Sequence, residues 1–354
     1  MLENRACLVS RDYSRSCERN ASWPFVSLRL EKAEIPQTKR PLSDINRGEE
    51  IEVGVVKFPK LSTDQMDSTS PIGGMVNAAL AQSASEPRSR RHADKESLAV
   101  GTELLVFGRD LMSHVIYRYS LLTNTWTTGM RMNAPRCLFG SASLGEIAIL
   151  AGGCDLNGSV LKSAELYNSE SGTWTTLPSM HKPRKMCSGV FLDGKFYVVG
   201  GIGGADNALL TCGEEYDLAT QTWTEIPNMS PVRTGAARDN EPPVTSEAPP
   251  LIAVVNNQLY AADYADMEVR KYDKENKMWV TVGRLPERAD SMYGWGLAFR
   301  ACGDRLMVIG GPRNAGEGFI EVNSWIPSEG PPEWHLLDRK RSGSFVYNCA
   351  VMGC

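Results

Sequence analysis

No stretch of this 354-residue sequence reaches the roughly 18–20 consecutive apolar residues that a membrane-crossing helix needs. Charge of one sign is also lacking. The formal net charge is −4, so no global basic field points to nucleic acid or an anionic membrane as partner. Nine cysteines are present, but they form no CxxC pair and no even disulfide spacing, which reads as reduced, mostly buried thiols. The first ten residues, MLENRACLVS, are too short for a signal core, and Arg5, Arg11 and Arg15 break it further. An intracellular location, cytoplasm and/or nucleus, is therefore expected. Histidine is scarce: of four, His114, His181 and His335 stand far apart, so no convergent metal site is expected. No GxxxxGK[ST], GxSxG or HExxH occurs. The glycines of VVGGIGGADNALL fail as a dinucleotide fingerprint, because Asp206 stands where the third glycine belongs and a strand follows. The expectation is a chain without catalytic residues, cofactor or metal.

What is present is unevenly distributed. Apolar residues make up 42% and charged residues 23%, enough for a sizeable core. Residues 1–93 hold few large apolar side chains and include the Ser/Pro/Arg cluster SASEPRSRR, so this region is expected to be mostly disordered. From Asp94 to Cys354 the text repeats. Tyr119 precedes Trp126 by seven residues, and the same spacing joins Tyr167 to Trp174, Tyr216 to Trp223 and Tyr272 to Trp279. Trp334 follows with no tyrosine seven residues before it. Successive tryptophans are 48, 49, 56 and 55 residues apart, and the widest interval contains the Pro/Glu-rich insertion DNEPPVTSEAPP.

Two further features keep phase with the tryptophans. Ahead of each aromatic pair runs an apolar segment ending in small residues: LLVFG, IAILAGG with Gly152 and Gly153, FYVVGG with Gly200 and Gly201, and LYAA. LMVIGG, with Gly310 and Gly311, holds the same place before Trp334. After each tryptophan comes a turn and then an arginine: Arg136, Arg184, Arg233, Arg288 and, more loosely, Arg341. A first strand after the arginine, a hairpin turn such as Asp193-Gly194, an apolar second strand, a third with the tyrosine and a fourth with the tryptophan make one unit of about 50 residues. That is the length and strand content of a propeller blade.

This strand–Gly-Gly–Tyr–x6–Trp pattern resembles the kelch repeat. The text from Asp94 to Cys354, and MLENRACLVSRDYSRSCE at the start, is similar to the plant F-box/kelch-repeat proteins of the Skp1-interacting type. The resemblance implies an all-β kelch propeller over 94–354. It also implies a role as the substrate-recognition component of an SCF-type E3 ubiquitin ligase, with a target protein on the loops and a Skp1-type adaptor on the F-box. Residues 54–92 show neither the amphipathic helices of an F-box nor the first tryptophan of such a propeller, so the F-box is expected to be absent. The alternative is then a scaffold or competitor uncoupled from the ligase. Five tryptophan-bearing units and the strand-like text 342–354 give a six-blade plan with one incomplete blade, and hence an open edge or an adjusted closure. Phase equivalence puts the five arginines on one face, where they read either as a ring of planar donors for an acidic partner segment or as clamps on loop carbonyls and acidic neighbours. The resemblance favours the first. The Tyr/Trp series reads as core.

Overall fold

The computed structural model describes residues 96–109, 114–204, 208–231, 248–287, 294–310, 319–341 and 344–352, and three strands nearer the N-terminus. Those three are β1 (Asn4–Asp12), β2 (Phe25–Leu30) and β3 (Val53–Val55). Blade one comprises β4 (Glu96–Val100), β5 (Glu103–Arg109), β6 (His114–Ser120) and β7 (Thr125–Met130). Blade two comprises β8 (Gly140–Leu144), β9 (Ile147–Ala151), β10 (Ala164–Asn168) and β11 (Thr173–Leu177). The short β12 (Arg184–Lys185) leads to blade three: β13 (Ser188–Leu192), β14 (Lys195–Val199), the short β15 (Ile202–Gly203), β16 (Gly213–Asp217) and β17 (Thr222–Ile226). Blade four comprises β18 (Ile252–Val255), β19 (Gln258–Asp263), β20 (Glu268–Asp273) and β21 (Met278–Arg284). Blade five comprises β22 (Leu297–Cys302), β23 (Arg305–Gly310), β24 (Phe319–Trp325) and β25 (His335–Arg341), and β26 (Ser344–Met352) follows it.

Each of the five blades is an antiparallel meander of four strands from one contiguous stretch. Their first strands form a closed inner ring in which β4 touches β8, β8 touches β13, and so on through β18 and β22 to β26, which returns to β4. The apolar second strands are continuous because both of their faces are covered. In β9, Ala148 and Leu150 pack toward blade one, while Ile149 and Ala151 pack toward blade three. A strand alternates faces with period two, so a strand between two blades must be apolar at every position.

The seven-residue spacing has a direct structural cause. Tyr167 lies opposite Trp174, Tyr216 opposite Trp223, Tyr272 opposite Trp279 and Tyr119 opposite Trp126, each as a cross-strand pair in register. Their ring centroids lie 4.9–5.2 Å apart in tilted contact, which adds about 0.5–1.5 kcal/mol per pair beyond the area buried. The tryptophans also fasten blades together. Trp223 Nε1 donates to the Pro178 carbonyl at 2.7 Å, Trp279 Nε1 to Met229 at 3.1 Å and Trp334 Nε1 to Arg284 at 2.8 Å, each acceptor lying at the exit of the preceding blade. In blade five the tyrosine's place is filled. Trp325 lies opposite Leu306, as Tyr216 lies opposite Phe196, and its ring meets Trp334 at 5.9 Å.

The six-blade plan holds, and its last sheet carries a correction. Instead of an open edge, β26 pairs antiparallel with β1, which pairs with β2, which pairs with β3. The closure is thus the adjusted kind. The sheet has four strands and is short only at its rim, where β3 has three residues. Pairing uses backbone groups that every residue carries, so a segment with no repeat signature can complete a sheet. The expected disorder of 1–93 falls largely outside the described residues apart from these strands, and the F-box expectation falls on residues of which only 54–55 are described.

The Gly-Gly signature is a matter of close approach. Gly152 and Gly153 have φ of +72° and +89°. A Cβ at Gly152 would lie 2.3 Å from the Arg184 carbonyl oxygen of the next blade's loop, and one at Gly153 would lie 2.4 Å from that of Cys137. Gly145 also has positive φ, +58°, but nothing lies within 4 Å of its Cβ position. Gly145→Ala should therefore cost only left-handed strain, about 1–2 kcal/mol. Gly152→Ala should cost more because the loop must also move. Denaturant midpoints of the two variants measure that difference.

Candidate functional site

The two ends of the propeller differ. At one end the first and second strands are joined by tight two-residue turns, such as Gly145-Glu146, Asn256-Asn257 and Asp193-Gly194, the last with φ of +52° and +74° as its hairpin type requires. The other end carries the connections between blades and those between second and third strands. In blades two and three the latter are long, running 152–163 and 200–212. Leu156 and Leu209 stand on them 43% and 54% exposed. The first loop is pre-shaped: Asp155 Oδ1 accepts the N–H groups of Asn157 and Ser159, both at 2.9 Å. Functional contacts concentrate on such loops because the strands beneath hold them rigidly.

Beneath this face lie two of the repeated arginines. Arg136 and Arg184 have no exposed surface. Arg136 Nη2 pairs with Glu165 at 2.7 Å, and its Nη1 donates to the carbonyls of Gly152 at 3.1 Å and Ser163 at 2.6 Å. Arg184 repeats this one blade on. Its Nη2 meets Glu214 at 2.7 Å, and its Nη1 reaches the carbonyls of Gly200 at 3.0 Å and Cys212 at 3.2 Å. The glutamates complete the clamp by accepting backbone N–H groups of the incoming loop: Asn133 and Ala134 on Glu165, His181 and Lys182 on Glu214. Burial disfavours the Arg136 cation and lowers its pKa, opposed by Glu165. Burial also acts against the Glu214 carboxylate. There the hydrogen bonds from His181, Arg184 and Lys182 outweigh it and hold the group below its usual range.

Arg136 and Arg184 thus stand as clamps on loop carbonyls and an acidic neighbour, the other of the two readings of the repeated arginines. A guanidinium with no exposed atom, whose Nη donors are already engaged by carboxylate and carbonyls, cannot grip a partner without dismantling the loop. Arg341 is exposed at the end of β25, opposite Phe319, and Arg233 and Arg288 lie outside the described residues. The other signature residues sit in the core or in turns. Tyr167, Tyr216, Tyr272 and Trp223 are buried, Trp174 and Trp279 are half-buried, and Gly200 and Gly201 have φ of +65° and +93°. Gly310 ends β23, while Gly311 lies outside the described residues.

The acidic partner was legible at a fixed place, two residues before the tyrosine, where Glu165 and Glu214 stand. In blade four that place holds Arg270, and Asp263 stands in the position of Gly200; the two pair at 2.9 Å, so a buried ion pair stands here too, with its basic member on the third strand. The central channel, about 470 Å³, is lined by the first strands, with Ser97, Ser141, Ser188 and Arg300 among its polar groups. Ser188 and Arg300 there donate to carbonyls of Pro250 and Cys349. Among the described residues no group of three or more His, Cys, Asp or Glu is placed to hold a metal ion, and no helix is long and apolar enough to cross a membrane.

Comparison with known proteins agrees with the architecture. The Kelch motif family model matches residues 135–181 and 183–230, which span blades two and three. The F-box/kelch-repeat protein SKIP11 of Arabidopsis thaliana is 75% identical over 264 residues, covering 74% of this chain and 56% of that protein. Two other F-box/kelch-repeat proteins of the same plant are 67% and 66% identical, with 63% and 60% of their lengths covered. The chain thus spans about three-fifths of the length of these curated relatives. Five phase-locked blades, in-register Tyr/Trp pairs and these matches make the chain a kelch-type propeller that is similar to the F-box/kelch-repeat proteins over this part of their length.

Proposed function

We propose that the chain is a non-enzymatic protein-interaction module that presents the long-loop face of its propeller to a target protein, in a role related to the substrate-recognition components of SCF-type ubiquitin ligases. The observation that carries this is the asymmetry of the ring. At one end the first and second strands are joined by two-residue turns, and the other bears two long second-to-third connections with exposed Leu156 and Leu209, the first of them pre-shaped by Asp155. Apolar side chains on a rigid loop act as interface anchors. The chain and its 75%-identical relative should retain a common protein from plant extract. The paired variant L156E/L209E should lower that retention about tenfold or more without changing the circular dichroism spectrum. Undiminished retention would remove this face from the interaction.

A second reading, a scaffold or competitor that binds targets without delivering them, is favoured by residues 54–92, whose sequence has no amphipathic helical period. A binding assay with a Skp1-type adaptor, with an F-box-bearing relative as positive control, separates the two. Capture of the adaptor supports the ligase receptor. A folded chain that leaves the adaptor in solution supports the scaffold.

A further inference from the structure

Where the loop entering blade two meets the loop that follows β9, two cysteines face each other across a backbone bridge. Cys137 N donates to the Cys154 carbonyl at 3.0 Å, and Cys154 N donates to the Cys137 carbonyl at 2.8 Å. This reciprocal exchange defines a hydrogen-bonded antiparallel pair, whose Cα atoms stand about 5.5 Å apart, inside the window of roughly 4.4–6.8 Å that a disulfide spans. The sulfur atoms are already 3.5 Å apart. Cys137 is partly exposed, while Cys154, Cys187, Cys212, Cys302 and Cys349 are buried.

Blade three supplies an internal comparison. Its bridge at the same place, β12 with β15, pairs Lys185 with Ile202. The fold therefore builds this junction without sulfur, and two thiols facing each other in blade two are not a packing requirement. Cys187, three residues into the next blade's loop from Arg184, shows the contrasting case. It is enclosed, its thiol points at the Ala151 carbonyl, and burial pushes its pKa up to about 11, which keeps it a thiol.

We propose that Cys137 and Cys154 are a peroxide-responsive dithiol that closes to a disulfide and locks the two loops of blade two together. The Cys137 sulfur, as thiolate, attacks hydrogen peroxide. A sulfur–oxygen bond forms, the peroxide bond breaks and hydroxide leaves, taking up a proton to become water. The Cys154 sulfur then attacks the sulfenic sulfur of Cys137. The sulfur–sulfur bond forms, and the oxygen leaves as a second water with the Cys154 proton. Two thiols supply the two electrons that the peroxide accepts. The bond ties the connection between blades to the connection between second and third strands on the long-loop face, the same loop that carries Leu156. It stands independently of any particular target.

Both cysteines fall on one tryptic peptide, residues 137–162, so mass spectrometry reads the event directly. The full chain, reduced and then treated with hydrogen peroxide, is unfolded in guanidinium chloride, blocked with N-ethylmaleimide and digested. The expected peptide is two hydrogens lighter than the reduced form and carries no maleimide. A phosphine reductant before blocking restores two maleimides. In C154S, with no second thiol in reach, Cys137 should stop at the sulfenic acid and be trapped by dimedone. Two maleimides on the peroxide-treated wild-type peptide would overturn the proposal. So would Cys137 advancing to sulfinic acid beside a maleimide-labelled Cys154. In a parallel sample blocked without denaturant, buried Cys187 should take no maleimide, which is the control that the fold stayed intact.

Discussion

Replacing Arg184 with methionine is expected to destabilise the protein by about 3–5 kcal/mol, because it strands a buried carboxylate. Glu214 has no exposed surface, and with the guanidinium gone it keeps only the His181 and Lys182 donors. The carbonyls of Gly200 and Cys212 lose their donor as well. Methionine occupies comparable length but offers no hydrogen. The double variant R184M/E214M should recover part of the loss, since removing both charges removes the unpaired one. Denaturant unfolding of the singles and the double measures the coupling. If R184M instead unfolded like the wild type while losing its target, the arginine would have to be reassigned to binding.

Acid gives a second view of the same clamp. The folded chain holds Glu214 below the usual carboxylate range. As pH falls, the unfolded chain therefore binds that proton first. The stabilisation is complete above the ordinary value of about 4.3. It is lost as pH drops from there through the lowered folded value. In R184M one of the groups holding Glu214 down is missing, so the window should close at a higher pH and the stability lost across it, read from denaturant midpoints against pH, should be smaller.

Trp223→Ala is the other large effect, about 3–5 kcal/mol. The side chain fills the joint between blades two and three, stacked on Tyr216 at 4.9 Å and edge-on to Phe196 at 6.2 Å. Its truncation opens a cavity walled by two rigid sheets, which cannot collapse to fill it. Trp223→Phe separates packing from hydrogen bonding. The ring contact survives in part, but the Pro178 carbonyl loses its donor, a net loss of about 1 kcal/mol for that bond. Thermal unfolding of the two variants reads the split. Equal loss in both would mean that the N–H bond, and not the ring, holds the joint.

The aromatic skeleton was readable in the sequence because register makes it periodic. An antiparallel pair joined by a short turn puts the tyrosine opposite the residue seven places on in blades one to four. The glycine pairs were readable for a related reason, since only a residue without a side chain tolerates the loop that crosses there. Trp325 escaped notice because it sits nine residues before Trp334, the extra residues being taken up in a longer third-to-fourth connection that contains a 3-10 turn, Pro327–Glu329. The arginines were found but their depth was not. Spacing states that they share a phase, while burial depends on what stands two residues before the tyrosine in a strand far along the chain. The strands β1, β2 and β3 carry no repeat mark at all. Their place in the ring follows from an unfilled sheet edge, which is a property of the assembled blades.

That ring has one joint unlike the rest. Within the five blades, hydrogen-bonded neighbours in each four-stranded sheet are consecutive stretches of chain, whereas β1 and β26 are separated by nearly its full length. Arg5 stands opposite Met352 and Asp12 opposite Ser344, so both distal ends leave from the same end of the seam. A pull applied at residues 5 and 352 loads the bonds of this seam one after another, in the manner of a zipper, and never all together in shear. The propeller is thus mechanically weakest along the line where it is topologically closed. An unfoldase gripping either end would meet the seam before it met any blade.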